Sequence, residues 1–275
     1  LNMVNFLFWN IDDKAIEDDI AELCRIHSIN YLILGECNYD EKIILAALTK
    51  KTGFTYYYLP NILCEKIKIF TTFPTKSSIL ISDKLRYVAR EIYSALYGNV
   101  TLIAIHYQSK VNWSTEDQAA HSVKIKEFID HAEKEAKHKR TIVCGDMNMN
   151  PFEMGMVQTS GLHSVMEKNI ARKGSRIVDT DEYHYFYNPM WGFLGDLGKG
   201  DVSGTMYFSP AKPVNFHWNL FDQVLIRPDL VDAFMDDKVD IITEIGNVSM
   251  LTRHGHVKIS RFSDHLPVKF SLNIE

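Results

Sequence analysis

The sequence predicts an α/β fold in a single domain that covers residues 1–275. Short apolar runs alternate along the chain with segments whose apolar residues recur at helical spacing, as they do where strands alternate with helices. A chain of 275 residues can bury a sizeable core without a disulfide or metal cross-link. No linker-like stretch, charge block or internal repeat interrupts it, which favours one domain over two.

The N-terminal part combines predicted strands and helices. Val4–Trp9 is apolar and aromatic, and Tyr31–Leu34 is a second apolar run, so both are predicted to be buried strands. Lys14–His27 places its apolar residues on one helical face, and Glu41–Lys51 is predicted as a second helix. Short strands separated by turn residues then predict an antiparallel meander: Thr55–Leu59, Ile67–Thr71, Ser77–Ser82 and Tyr87–Tyr93.

The C-terminal part continues this alternation. Thr101–His106 and Thr141–Cys144 are predicted strands on either side of the longest predicted helix, Glu116–Lys137. Six side chains of that helix are expected to face the core: Ala120, Val123, Phe128, Ile129, Ala132 and Ala136. Residues 183–208 are aromatic and predicted to be irregular, and the glycine cluster at 192–204 within them is expected to be either a mobile lid over the cleft or a plain surface loop. The last predicted strands are Phe221–Ile226 and Leu266–Leu272.

Charge and cysteine usage exclude several classes of protein. The chain has 30 Lys plus Arg and 35 Asp plus Glu, a net charge of −5, which argues against a protein that holds polyanions by bulk charge. A nuclease stays open, because a bound metal ion supplies positive charge locally. The four cysteines form no C-x-x-C pair, so zinc-ribbon and thioredoxin-like sites lack their signature: Cys24, Cys37, Cys64 and Cys144.

The same features give an expectation about location. Few cysteines in a chain of this size favour reduced thiols in a cytoplasmic protein. The N-terminus has no basic leader, and no apolar run approaches the ~18 residues of a membrane-spanning helix. We therefore expect a cytoplasmic protein without membrane insertion, and the sequence indicates no obligate protein partner.

Acid, amide and imidazole groups gather at the ends of the predicted strands. In open α/β sheets ligands bind at strand ends, on the loops that leave them. One such polar end is ordinary, because Asp and Asn favour turns. Six on separate elements predict convergence on one pocket: Asn10 with Asp12, Glu36, His106, Asp146 with Asn148, Asp222, and Asp264 with His265.

At these residues the sequence resembles the endonuclease/exonuclease/phosphatase superfamily, which includes pancreatic-type deoxyribonuclease. The matching segments occur in family order over residues 9–267: Trp9-Asn10-Ile11-Asp12, Gly35-Glu36, Ile105-His106, Gly145-Asp146-Met147-Asn148, Asp222-Gln223-Val224-Leu225 and Ser263-Asp264-His265-Leu266-Pro267. The resemblance implies a four-layer α/β sandwich, with two mixed β-sheets packed face to face and helices outside. It also implies a metal-dependent phosphoesterase.

Metal ligands follow from the same resemblance. Glu36 resembles the main Mg²⁺ carboxylate, with Asn10 and Asp12 beside it, and Asp264 resembles a further acidic residue at the metal or the water. Mn²⁺ is expected to substitute for Mg²⁺. The chemistry agrees, because Mg²⁺ takes oxygen ligands and needs only one or two carboxylates. For Asp12 an N-cap before the Lys14–His27 helix is an equal alternative.

Catalytic roles are implied for the remaining residues. Asp146 resembles the residue that orients or deprotonates the attacking water, with Asn148 as its partner. His265 resembles a phosphate-contacting imidazole that Asp222 orients. His106 matches the second histidine of the deoxyribonuclease branch, the alternative being a satisfied core histidine.

We therefore expect a nuclease that cleaves phosphodiester bonds by metal-assisted attack of water. Asn10-Ile11-Asp12 and His106 favour nucleic acid as the substrate, and Trp218 is a candidate for stacking on a base, with core packing as the alternative. Two other hypotheses stay open. One is the same chemistry on a small or lipid phosphoester, such as a phosphoinositide, sphingomyelin or a nucleotide. The other is a non-catalytic binding module.

Overall fold

A computed structural model of the chain describes residues 3–274. Residues 1, 2 and 275 lie outside the described residues. The two ends of the predicted domain and the first residues of the N-terminus are therefore not described. No helix among residues 3–274 is long and apolar enough to cross a membrane.

Strands outnumber helices in the described chain. The strands are β1 (Val4–Asn10), β2 (Tyr31–Gly35), β3 (Tyr57–Leu59), β4 (Ile67–Thr71), β5 (Ser78–Lys84), β6 (Tyr87–Ile92), β7 (Val100–His106), β8 (Thr141–Asp146), β9 (Ser164–Val165), β10 (Ser175–Val178), β11 (Asp181–His184), β12 (Phe186–Tyr187), β13 (Met206–Tyr207), β14 (Trp218–Asn219), β15 (Asp222–Ile226), β16 (Asp240–Ile241), β17 (Glu244–Ile245), β18 (Val248–Ser249) and β19 (Val268–Leu272). The α-helices are α1 (Glu17–Ile26), α2 (Glu41–Thr52), α3 (Thr115–Ala136), α4 (Met154–Val157) and α5 (Lys168–Ala171). Short 3₁₀ turns cover Thr75–Ser77, Pro189–Phe193, Pro228–Leu230 and Asp236–Lys238.

Two large mixed sheets form the centre of the fold. The six-stranded sheet has the order β16-β19-β1-β2-β4-β3, and the seven-stranded sheet has the order β5-β6-β7-β8-β15-β12-β9. Strands β1 and β2 are parallel, as are β7 and β8. Their neighbours β19 and β15 run antiparallel to them. Within each sheet the polar ends of these strands therefore lie on the same side, those of β1, β2 and β19 in one sheet and those of β7, β8 and β15 in the other.

The apolar side chains place these sheets in the middle of four layers. In β7, Leu102 and Ala104 belong to the core cluster that includes the six-stranded sheet, whereas Ile103 and Ile105 pack in a second cluster with α3. This alternation is the period of two expected for a strand buried on both faces. Helices α1 and α2 contribute their buried faces to the first cluster. The predicted four-layer α/β sandwich is confirmed.

The local predictions were less accurate at element ends. Helix α1 begins at Glu17, three residues later than expected, and its N-cap is Ile16. Part of the segment expected to be irregular forms short strands instead: β12 joins the seven-stranded sheet beside β15, and β13 forms a ribbon with β14. The other glycine-rich residues between them stay outside regular sheets, apart from one 3₁₀ turn.

The inward face predicted for α3 was partly wrong. Phe128, Ile129 and Ala132 are buried as expected, but Ala120 is exposed, and Val123 and Ala136 are only partly buried. Three polar residues also lie on the buried face, Gln118, Ser122 and Glu133. Gln118 is buried because its side-chain amide donates to two backbone carbonyls, those of Gln108 and Asn148. Hydrogen bonds available only in the folded chain thus override the apolar pattern.

Candidate active site

Strand pairing brings the predicted site residues together. Asn10, at the end of β1, pairs with Gly35, directly before Glu36. His106, at the end of β7, pairs with Asp146, at the end of β8. Asp222, at the start of β15, pairs with Asp146 from the other side. The convergence predicted from the strand ends is therefore a consequence of sheet register.

A glycine permits the closest of these pairings. Gly145 has φ of +145°, and a Cβ added there would lie 1.9 Å from the carbonyl oxygen of Ile105. Strands β7 and β8 can adopt this register only because the position carries no side chain. Gly145 therefore helps to place His106 beside the carboxylate of Asp146.

The carboxylate of Asp146 lies at the centre of the site and is buried. Its Oδ2 accepts hydrogen bonds from the side-chain amides of Asn10 and Asn148, both at 3.1 Å. The same oxygen lies 3.9 Å from Nε2 of His106 and 4.0 Å from Nε2 of His265. Burial raises the pKa of Asp146, and the nearby imidazoles oppose that shift. Two imidazole nitrogens thus lie about 4 Å from the same carboxylate oxygen.

His265 is held by a second buried carboxylate. Its Nδ1 lies 2.7 Å from Oδ2 of Asp222, and both residues are buried. Burial alone would lower the pKa of His265, but the carboxylates of Asp222 and Asp146 raise it to about 10. The ring is therefore a cation at neutral pH, with Nδ1–H donating to Asp222.

His106 has a different environment. Its Nε2 lies 2.6 Å from Oε1 of Glu36, and its Nδ1 lies 2.8 Å from a guanidinium nitrogen of Arg86. The hydrogen bond from His106 lowers the pKa of Glu36 to about 2, against the opposing effect of burial. Glu36 has φ of +45°, which is uncommon for a residue other than glycine. Such strain persists where the surrounding structure holds a side chain in place.

Three carboxylates on the Glu36 side form a cluster of like charge: Asp12, Glu36 and Asp264. Burial and the charges of Asp264 and Glu36 raise the pKa of Asp12, while Lys14, whose Nζ lies 3.6 Å from it, opposes the shift. The alternative of Asp12 as a helix cap is wrong, because α1 begins at Glu17 and Asp12 caps nothing.

Oxygen ligands of this kind fit a divalent cation. The carboxylates of Asp12, Glu36 and Asp264 and the amide oxygen of Asn10 are hard donors, and a bound cation would relieve the mutual repulsion of the carboxylates. A second set of ligand atoms, from Asp146, Asp222 and His265, lies within 4.8 Å of one another and could also hold a metal ion. In that set, however, His265 is already paired with Asp222. We therefore regard the Glu36 side as the better fit.

Several residues that sequence reasoning left without a role support the site. The Ser263 hydroxyl donates to the carbonyl of Asn10 at 2.6 Å and accepts from the backbone N–H of His265. The indole N–H of Trp9 donates to the carbonyl of His265 at 2.9 Å. Gln223 donates to the carbonyl of Met149 and so holds the loop that follows Asp146. Ser263, Trp9 and Gln223 stand inside the matched segments, which was the available signal. Arg86 stands outside them.

Trp218 lies on β14 beside the site. It pairs with Tyr207 on β13 and contacts that ring edge-on at 5.4 Å between centroids. Met206, which precedes Tyr207 on β13, forms an isolated antiparallel β-bridge with His265. Trp218 is partly buried against the core, so both of its expected roles, packing and contact with substrate, are compatible with its position.

Comparisons with known proteins agree with this architecture. No protein-family model matches the chain, and no curated protein matches its sequence. Among solved structures, D. rerio TDP2 complexed with a single-stranded DNA product is similar at 14% identity and a TM-score of 0.58, over 99% of this chain and 100% of that one. The human Nocturnin catalytic domain with bound sulfate is similar at 14% identity and a TM-score of 0.57, over 99% and 95%. An endonuclease/exonuclease/phosphatase from Beutenbergia cavernae is similar at 18% identity and a TM-score of 0.55, over 100% and 72%. The chain therefore has the DNase I-like fold of the endonuclease/exonuclease/phosphatase superfamily.

Proposed function

We propose that this protein is a metal-dependent phosphodiesterase that hydrolyses nucleic acid. The observation that carries the proposal is the position of Asp146, a buried carboxylate with the Nε2 atoms of His106 and His265 at 3.9 and 4.0 Å. A base flanked by two donors is the arrangement that attack of water on a phosphate needs. Fold alone would not support an activity, because one fold serves many functions.

In this proposal Asp146 accepts the proton of the attacking water. Its Oδ2 is kept in place by the amides of Asn10 and Asn148, and burial raises its pKa, which makes the carboxylate a better base. Asn148 also donates from its backbone N–H to Oδ1 of Asp146 at 2.8 Å. The carboxylate is thus oriented through both of its oxygens.

The two histidines would stabilise the charge that develops on the phosphate. His265 carries a positive charge because Asp222 and Asp146 raise its pKa, and its Nε2 points to the side of Asp146. Nε2 of His106 lies 3.9 Å from the same carboxylate. Donors fixed in a buried site stabilise an anionic transition state more than they would in water.

The proposed metal ion is Mg²⁺, with Mn²⁺ as a substitute. It would be held by four residues: Glu36, Asn10, Asp12 and Asp264. When bound, a divalent ion polarises a phosphoryl oxygen and lowers the pKa of a water molecule. His106 keeps Glu36 ionised, since its hydrogen bond lowers the pKa of that carboxyl to about 2. Glu36 is then available as a ligand across the neutral range.

Nucleic acid is the favoured substrate class. TDP2, which has the same fold, is complexed with a single-stranded DNA product in its solved structure. His106 matches the second histidine of the deoxyribonuclease branch, and the 3.9 Å distance from its Nε2 to the carboxylate of Asp146 supports a role in the site. The alternative of a satisfied core histidine is therefore the weaker interpretation.

A substrate panel tests the proposal. Single-stranded and duplex DNA and RNA, a phosphoinositide, sphingomyelin and a nucleotide would be incubated with Mg²⁺, with Mn²⁺ and with a chelator, in parallel with Asp146→Asn. We expect cleavage of a nucleic acid that the chelator and the substitution both abolish. Turnover of only a lipid or small phosphoester would show that this compound, and not nucleic acid, is the substrate class. No turnover, with no increase of thermal stability on adding Mg²⁺, would instead favour a non-catalytic module.

We further propose that residues 1–275 form one domain in the cytoplasm. One apolar cluster includes side chains from both large sheets and from α1 and α2, which supports a single domain. The four cysteines are all buried and free, which suits a reducing compartment. Limited proteolysis that released a stable fragment with its own cooperative unfolding would contradict the single domain. Export of the full-length protein by its native host would contradict the location.

A further inference from the structure

Arg86 is joined to His106 through both backbone and side chain. It stands in the turn between β5 and β6 and is partly buried. The backbone N–H of His106 donates to the carbonyl of Arg86 at 3.0 Å. One guanidinium nitrogen of Arg86 lies 2.8 Å from Nδ1 of His106. Two contacts between the same residues hold this ring against the turn.

The chemistry of arginine decides how the ring of His106 is protonated. A guanidinium has only donors and remains charged in proteins, so the nitrogen facing it must accept. Nδ1 of His106 therefore offers its lone pair to Arg86, and the ring proton resides on Nε2. That nitrogen is 2.6 Å from Oε1 of Glu36, where it donates to the carboxylate. His106 is 3% exposed, so water does not compete for either nitrogen.

We propose that Arg86 is a positioning residue of the active site, which occupies Nδ1 of His106 and thereby keeps the single N–H of that ring on Nε2, the nitrogen that faces Glu36 and the carboxylate of Asp146. The inference rests on the proposed function, since it assigns a role within the same site. Arg86 acts through His106, so it does not contact the reacting atoms. Without it, the ring can place its proton on either nitrogen.

A direct contact between Arg86 and the phosphate is the competing explanation. The two explanations differ in how Arg86 and His106 combine. If Arg86 acts through His106, its removal has no further effect once the imidazole is gone. If Arg86 binds phosphate by itself, the two losses multiply, and the loss on removing Arg86 appears in KM as well as kcat.

A double-mutant cycle separates them. We expect Arg86→Ala to lower kcat by about 10- to 100-fold with little change in KM, the size seen when a residue that orients another functional residue is removed. In the His106→Ala background the same substitution should lower kcat less than about 2-fold. Multiplying losses would overturn the inference. Arg86→Lys should retain part of the activity, because lysine keeps a charged donor, and added guanidinium ion should partly restore Arg86→Ala.

Arg140 provides a matched control. It is also partly buried, and its Nε donates to the carbonyl of Asn99 at 2.9 Å, beside the opposite end of β7. Arg140→Ala should leave kcat unchanged for the folded fraction. A loss equal to that of Arg86→Ala would mean that removing any such arginine disturbs the sheet, and would overturn the inference.

Nitrogen-15 NMR of the His106 ring tests the geometry without any assay. In the metal-free protein we expect the Nε2–H form, and in Arg86→Ala a mixture of both ring forms. A wild-type ring protonated on Nδ1 would overturn the inference whatever the activity. An inactive protein with the expected spectrum would overturn the proposed function and leave the Arg86–His106 geometry supported, so the two failures are distinguishable.

Discussion

The two histidines beside Asp146 lie at nearly equal distances from it but in opposite surroundings. Behind His265 is the carboxylate of Asp222, which accepts from Nδ1 and favours the charged ring. Behind His106 is the guanidinium of Arg86, which donates to Nδ1. A carboxylate behind one ring and a guanidinium behind the other place two identical side chains in opposite electrostatic surroundings. The residue behind a histidine, rather than the histidine itself, thus determines what its Nε2 can do.

The largest expected effect concerns the carboxylate between the two rings. Asp146→Asn keeps the shape of the side chain but removes the base, so we expect kcat to fall by about 10³- to 10⁴-fold. The amides of Asn10 and Asn148 can still donate to the new carbonyl oxygen, but the new NH2 group then faces the backbone N–H of Asn148, so we expect a modest decrease in thermal stability with the fold retained. Single-turnover cleavage and calorimetry measure both. Activity within tenfold of wild type would show that Asp146 is not the base between these rings.

Removing each histidine in turn tests whether the rings differ. His265→Ala removes a cation and should lower kcat by about 10³-fold, whereas His106→Ala should lower it by about 10²-fold. His138→Ala is the control, because its side chain is 8% exposed and faces Glu91 at 3.6 Å, away from the site residues. Steady-state kinetics of the three variants gives the order. Equal losses for the two site histidines would remove the distinction between them.

The carboxylate behind His265 is tested by Asp222→Asn. The substitution leaves the ring in place but removes the charge that favours the imidazolium, so we expect a decrease in kcat of about 10²-fold. Glu133→Gln is a matched control, since Glu133 is buried and lies 2.7 Å from Arg227, as Asp222 lies 2.7 Å from His265. It should reduce stability without changing kcat of the folded enzyme. If Asp222→Asn behaved in the same way, the pair would be structural only.

Stability as a function of pH gives a test that does not depend on turnover. The pKa of His265 is raised in the folded state from 6.5 to about 10, so its contribution is fully present below 6.5 and is lost as pH rises through 10. Each unit of difference corresponds to about 1.4 kcal/mol. Urea unfolding of metal-free protein across this interval should show a steeper decrease in stability for wild type than for His265→Gln. Parallel curves would mean that the ring is not a cation in the folded protein.

Much of this site could be predicted because the ends of strands can be recognised in the amino-acid sequence without a structure. An apolar run identifies a strand, and the polar residue after it identifies its end, as for Glu36 and Asp146. Once the sheets form, register brings such ends to one edge. Ser263, Trp9 and Gln223 were inside the matched segments, yet their roles required knowing which distant carbonyl each one faces.

The amino-acid sequence by itself determined the α/β class, the strands that carry the site and the residues whose chemistry suits a metal and a phosphate. Only the tertiary structure decided which group stands behind each histidine. Arg86 precedes His106 by 20 residues and reaches it across the sheet, and Asp222 reaches His265 over 43 residues. Local patterns arise from the periodicity of a single strand or helix, whereas these contacts depend on how separate segments align, and it is these contacts that determine where each ring carries its proton.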